Sequence, residues 1–219
     1  MDNAQVQSRG GVTLIGAGHP RREDLDEALK LAPTLVAADG GAAYALAMGH
    51  RPTAVIGDFD SLGPEVLQGF SDAERVHVRE QDTTDFEKCL SRIDAPFVIA
   101  TGVTAGRIDH ALAAYSVLVR RVGPPTLLLA EEDVVFAAPS RVALDLPRGT
   151  RVSLFPMSPV TGRSQGLKWP IDGLDFAPDA QIGTSNEATG PVSLDFDAPG
   201  MLVILPRAAL RAALAALTE

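Results

Sequence analysis

Thr53-Ala54-Val55-Ile56-Gly57-Asp58-Phe59-Asp60-Ser61 joins a short apolar run to a glycine and then to two carboxylates one residue apart. An apolar run this short, without polar alternation, is buried on both faces, as strands of parallel sheets are. Outward from it the pattern repeats. Residues 12–15, 34–38, 75–78, 97–100 and 126–130 read as further strands, and residues 22–32, 42–48, 85–93 and 107–122 have helical character. Strands alternating with helices predict an α/β parallel sheet with right-handed crossovers. After about Pro139 the texture changes: Pro and Gly become frequent, and residues 142–146, 151–155, 171–174, 192–196 and 201–205 read as strands without long helices between them. That spacing predicts a small, mainly antiparallel β-sandwich. Leu210, Leu214 and Leu217 then place an amphipathic helix over residues 207–217. The expected domains are 1–138, α/β, and 139–219, β-rich with a C-terminal helix.

In open parallel sheets, ligands bind outside the carboxyl ends of the strands. Acids gather at four such ends here: Asp39 after 34–38, Asp58 and Asp60 after 53–56, Asp82 and Asp85 after 75–78, and Asp109 beyond 97–100. Each alone has a plain explanation as a turn or helix-cap residue, and Thr84 with Glu87 forms a capping box for the helix at 85–93. Capping does not account for Asp82 and Asp85 together. Asp58 and Asp60 would repel each other without a cation between them, and hard oxygen ligands are what Mg²⁺ takes. Metal-assisted phosphate chemistry is therefore the expectation from the residues.

Composition narrows the field. The 219-residue chain has 19 Lys plus Arg against 28 Asp plus Glu, a net charge of −9, which argues against a phosphate-backbone binder of nucleic acid. No apolar run approaches the roughly 20 residues of a membrane span. Residues 1–9 lack an apolar leader. Cys89 is the single cysteine, so no intrachain disulfide forms and a cytoplasmic setting is expected. There is no G-x-x-x-x-G-K-[ST] loop and no G-x-S-x-G elbow, which argues against a Walker-type NTPase and a serine hydrolase.

The acidic blocks carry a family resemblance. Asp39-Gly40-Gly41-Ala42, Gly57-Asp58-Phe59-Asp60-Ser61, Gln81-Asp82-Thr83-Thr84-Asp85-Phe86-Glu87-Lys88, Gly106-Arg107-Ile108-Asp109-His110, Gly166-Leu167-Lys168-Trp169-Pro170 and Thr184-Ser185-Asn186 occur in the order found in the thiamin pyrophosphokinases, which the chain resembles. Two departures are visible: Ala43 stands where the family usually has Asn, and the loop at 101–107 is altered. The resemblance implies an α/β nucleotide-binding catalytic domain followed by a thiamin-binding β domain. It implies Mg²⁺-dependent transfer of diphosphate from the co-substrate ATP to thiamin, in a homodimer with active sites between subunits.

On that resemblance Asp58, Asp60 and Asp85 hold the metal, and Arg107 and Lys88 face phosphates. Asp39, Gly40, Gln81 and Asp82 lie along the nucleotide, while Asp109 orients Arg107 or takes the hydroxyl proton. Trp169 stacks on a thiamin ring, or else packs in the core of the β domain. Ser185 and Asn186 bond the pyrimidine, or else make a plain turn. The rival readings are a diphosphokinase for another alcohol, such as a pterin, and a catalytically silent binding protein.

Overall fold

The computed structural model describes residues 5–218. The fold is mixed α/β, and the chain divides into two compact units, Met1–Val117 with Val122–Ala130, and Leu118–Arg121 with Glu131–Glu219.

The first unit holds β1 (Val6–Gln7), β2 (Val12–Ile15), β3 (Thr34–Ala38), β4 (Ala54–Gly57), β5 (Arg75–His77), β6 (Ile93–Asp94), β7 (Val98–Thr101) and β8 (Thr126–Leu129). Its helices are α1 (Arg22–Leu31), α2 (Gly41–Ala47), α3 (Pro64–Gln68), α4 (Asp85–Leu90) and α5 (Ile108–Arg120), the last belonging to this unit as far as Val117. Six strands pair in parallel in the order β8-β7-β2-β3-β4-β5. Every residue of β2, β4, β7 and β8 is buried, the physical counterpart of a sequence that is apolar except for Thr13, Thr101 and Thr126. Ile15, Leu25, Leu35, Val55 and Phe70 pack into one core, and each such side chain contributes about 1.5–3 kcal/mol.

From β2 the chain builds outward through β3, β4 and β5, then returns to the other side of β2 for β7. That reversal is where such sheets open a crevice. One expectation fails in detail: the helix at 85–93 ends at Leu90, and Ile93 instead pairs with Val6 in the short parallel pair β1–β6.

The second unit holds β9 (Asp133–Ala137), β10 (Arg141–Leu144), β11 (Arg151–Pro156), β12 (Gly162–Leu167), β13 (Gly183–Phe196) and β14 (Met201–Pro206), closed by α6 (Leu210–Thr218). Its pairings are antiparallel, in the order β10-β13-β11-β14-β9, with β12 also on β13. The expected strand at 171–174 is instead a turn closed by Leu174 N–H on the Ile171 carbonyl, with Ile171 buried and Leu174 exposed. Hydropathy misread it because one plug residue looks like a strand. The reverse error hides β12: Gly162-Arg163-Ser164-Gln165-Gly166-Leu167 is polar, and only Leu167 is buried. It is a strand because β13 pairs with it. The register shifts between Gln165 and Leu167, and at Gly166 (φ +78°) a Cβ would lie 2.0 Å from the Pro191 carbonyl oxygen, so only glycine fits that bulge. Among the described residues, no helix is long and apolar enough to cross a membrane.

Candidate active site

The carboxyl ends of β3 and β4 lie side by side because consecutive strands pair, with Ala38 opposite Ile56. The next residue on β3 is Asp39, whose N–H donates to the Ile56 carbonyl at 2.9 Å. Asp39 turns the chain with φ +40°, is 1% exposed, and neither of its carboxylate oxygens has a hydrogen-bond partner. Opposite it, a Cβ on Gly57 would lie 2.8 Å from the Asp39 Cβ, so the glycine is what lets the two strand ends approach. Beyond Gly57, Phe59 takes φ +66°, which folds Asp58 and Asp60 into a tight turn with Asp60 N–H donating to Asp58 Oδ1 at 3.2 Å. Ser61 Oγ donates to Asp60 Oδ1 at 2.9 Å. One oxygen each from Asp39, Asp58 and Asp60 falls within 4.8 Å of the others.

α4 supplies the counter-charge. Thr84 caps it, accepting the Glu87 N–H at 3.3 Å. Lys88, 2% exposed, donates through Nζ to Asp58 Oδ2 at 3.0 Å and to Asp85 Oδ1 at 3.2 Å. Gln81 Nε2 donates to the same Asp58 oxygen at 2.9 Å. The Lys88 hydrogen bond holds the Asp58 carboxyl well below its ordinary value. Burial works against the Lys88 charge, yet Asp58 and Asp85 more than offset it and the ammonium titrates above its usual range. Burial raises Asp85. Asp39 rises to about 7, first through burial and then through the charges of Asp85 and Asp58.

These groups border a cavity of about 600 Å³, lined among others by Asp58, Asp60, Asp85, Lys88, Gln81 and Arg107, a size suited to a nucleotide-sized ligand. Arg107 and Asp109 form an exposed two-point pair, Nε to Oδ1 at 3.1 Å and Nη2 to Oδ2 at 2.5 Å, and Arg107 brings the Asp109 carboxyl down to about 2. Gly40 also lines the cavity; Asp82 is exposed, with its N–H on Glu80.

Sequence reasoning assigned Asp85 to the acid trio, whereas the three carboxylates that gather are Asp39, Asp58 and Asp60, and Asp85 faces Lys88. The signal for Asp39 was the adjacency of β3 and β4. Sequence reasoning also missed Glu80, which accepts the N–H groups of Asp82 and Thr83 and the Thr83 hydroxyl and so shapes the loop before α4. His19 and His110 line the cavity; His110 closes the Gly106–His110 block, and no sequence pattern marks His19.

The second unit carries its own polar constellation. Trp169, just past β12, is 55% exposed. Lys168 Nζ sits 4.8 Å from the centroid of its ring and 3.2 Å from Glu187 Oε2. Asn186 is buried with its amide on the Trp169 backbone. Ser185, at φ +62°, donates its N–H to Ser153 Oγ at 2.9 Å.

Comparison with known proteins gives a consistent result. The family model described as "Thiamin pyrophosphokinase, catalytic domain" matches residues 25–126, and "Thiamin pyrophosphokinase, vitamin B1 binding domain" matches residues 141–201. The chain is 31% identical over 172 residues to Thiamine pyrophosphokinase 1 of Oryza sativa subsp. japonica, covering 68% of this chain and 65% of that protein. It is 28% identical over 155 residues to Thiamin pyrophosphokinase 1 of Caenorhabditis elegans, covering 63% of each. The chain thus spans a little under two thirds of the length of these relatives. The crystal structure of thiamin pyrophosphokinase from Geobacillus thermodenitrificans superposes with a TM-score of 0.72 at 26% identity, over 90% of this chain and 96% of that one. Yeast thiamin pyrophosphokinase shares the fold, with a TM-score of 0.73 at 15% identity over 93% and 92%.

Proposed function

Because the chain belongs to the thiamin pyrophosphokinase family, matched in both of that family's domains and in their order, we propose that it transfers a diphosphoryl group from ATP to thiamin. The thiamin hydroxyl oxygen bonds to the β-phosphorus, the bridge to the α-phosphate breaks, AMP leaves, and the hydroxyl proton is released. The observation that carries this reading is the set of three carboxylates at two adjacent strand ends, with a buried lysine beside them.

Mg²⁺ fits that set. A buried carboxylate with two unpartnered oxygens, next to two more carboxylates, costs folding energy that a hard cation would offset. Asp39, Asp58 and Asp60 would hold it, with Asp85 close enough in charge to raise Asp39 and available as a further ligand. When bound, Mg²⁺ neutralises phosphate charge. The chain's own residues do the remaining work. Lys88 and Arg107 set positive charge against phosphate oxygens, Lys88 as a point charge and Arg107 as a planar fork. Gln81 fixes the Asp58 carboxylate, and Gly40 and Asp82 border the nucleotide. Asp109, with both oxygens on Arg107 and its carboxyl near 2, suits orienting that guanidinium better than accepting a proton. Transfer of this type rests mainly on alignment and charge stabilisation.

In this reading residues 1–138 form the nucleotide-binding catalytic domain and residues 139–219 a thiamin-binding β-sandwich, except that β9 (Asp133–Ala137), paired with β14, belongs with the second. Trp169 stacks on a thiamin ring, and Ser185 and Asn186 lie beside it. In this reading the functional form is a cytoplasmic homodimer with active sites between subunits; the exposed apolar side chains of Ile108 and Leu112, one turn apart on α5, support a subunit contact alone.

The test is an incubation of the protein with Mg²⁺, ATP and thiamin, with products resolved by chromatography. AMP and thiamin diphosphate in equal amounts, dependent on Mg²⁺ and thiamin, are expected. ADP with thiamin monophosphate would overturn the reaction class, and no product would shift the reading to another alcohol or to binding alone. A mass measurement in solution tests the dimer.

A further inference from the structure

Asn186 on β13 is 8% exposed. Its Oδ1 accepts the main-chain N–H of Trp169 at 3.2 Å and that of Glu187 at 2.8 Å, and its Nδ2 donates to the Trp169 carbonyl at 2.7 Å. A side-chain amide that bonds both the N–H and the C=O of one residue holds that residue's backbone as a paired strand would. The neighbouring pair closes the frame. Lys168 N–H donates to the Glu187 carbonyl at 2.8 Å, one step past the last residue of β12, and Lys168 Nζ reaches both Glu187 Oε2 and the face of the Trp169 ring. Held on both sides, the chain's single Trp still presents more than half its surface to solvent.

We propose that Asn186 is a positioning residue whose main-chain contacts present the Trp169 indole to a flat, cationic heteroaromatic ring. The proposal rests on the reading of residues 139–219 as thiamin-binding and refines it. Both acceptor positions of Oδ1 are taken by main-chain N–H groups, and one Nδ2 hydrogen is on the Trp169 carbonyl. A ligand bond to Oδ1 would compete with these contacts, at the cost of leaving buried main-chain groups of Trp169 or Glu187 unsatisfied. Among the described residues, the second Nδ2 hydrogen alone is uncommitted. The indole, by contrast, is exposed and already attracts a cation, the Lys168 ammonium. A ring held by its backbone also loses little freedom when a ligand stacks on it.

Because Trp169 is the only Trp, the emission of the whole chain reports its surroundings. The experiment compares the full-length protein with Asn186→Ala and Asn186→Asp, the second keeping size and acceptor but losing the donor. Emission, anisotropy and acrylamide quenching are read without ligand, then KM and kcat for thiamin with Mg²⁺ and ATP. For Asn186→Ala the expected result is a red-shifted, more quenchable and more mobile indole in the free protein. KM for thiamin rises about tenfold, the scale of one lost ring contact, with kcat within about twofold. Asn186→Asp falls between the two on both readouts.

A raised KM with wild-type emission and quenching would mean that Asn186 touches the substrate, and would overturn the proposal. An altered indole with unchanged KM would equally overturn its presenting role. Failure of the underlying reading looks different: thiamin would leave wild-type emission unchanged, and Trp169→Ala would keep the wild-type KM, whatever Asn186 does to the free protein.

Discussion

Asp39 and Asn186 are nearly the same side chain in opposite states. Each is buried beside a left-handed backbone, Asp39 at a strand end with φ +40° itself, Asn186 within β13 next to Ser185 at φ +62°. Asp39 carries a carboxylate with no hydrogen-bond partner, pressed against Asp58 and Asp60. Asn186 has its amide oxygen and nitrogen both engaged. The strand ends of the first unit therefore hold electrostatic strain that a bound cation would relieve, whereas the Asn186 side chain at the corner of β12 and β13 already holds the main chain on both sides. Buried polar groups stabilise only when satisfied, which is why the unpartnered Asp39 carboxylate supports the proposed cation site.

The comparison breaks most easily at Asp58. Asp58→Asn removes the carboxylate shared by the acid trio and Lys88, and kcat should fall on the order of 10³-fold; unchanged steady-state turnover would remove the metal assignment. Lys88→Met is expected to lower kcat about 10²-fold and to lower the melting temperature as well, because Asp58 and Asp85 lose their cation while remaining partly buried.

Asp39→Asn sharpens the contrast through stability instead of turnover. Burial raises the Asp39 carboxyl from 3.8 to about 7, so the folded protein holds this proton more tightly than the unfolded chain does. The stabilising contribution is full below pH 4 and is lost as pH rises through about 7. Without metal, Asn at this position should raise the melting temperature by a few degrees at pH 8 and by little at pH 4. Asn tolerates the left-handed backbone, so the exchange adds no strain. Mg²⁺ should then raise the melting temperature of the parent protein more than that of the variant. Equal shifts in calorimetry would mean that Asp39 is not part of the cation site.

The smallest effect falls on the completed corner. Trp169→Ala should raise KM for thiamin about tenfold, leaving kcat within about twofold. A fall in kcat with KM unchanged would place the indole's contribution in the transition state and weaken the contrast.

Legibility followed the same division. The parallel strands and the acids at their ends could be read directly, because strands buried on both faces are unbroken apolar runs and the residues that follow them must turn. Asp58, Asp60, Asp85, Gln81, Lys88 and Arg107 border one cavity, whose lining does not include Asp39, Asp82 or Asp109. In the β-rich unit, hydropathy mistook the turn at 171–174 for a strand and passed over β12, since a strand whose residues alternate between half-buried and exposed carries no apolar signal.

The sequence by itself determined the alternation of strands and helices and the chemistry of the acidic blocks, because both are written in neighbouring residues. Only the tertiary structure decided that Asp39 joins Asp58 and Asp60, that Asp85 turns to Lys88, and that Asn186 grips Trp169. Those contacts join residues 17 or more positions apart, except for the Asp85–Lys88 pair within one helical turn. They depend on strand register and burial, which set distance and dielectric together and which no local pattern of residues contains.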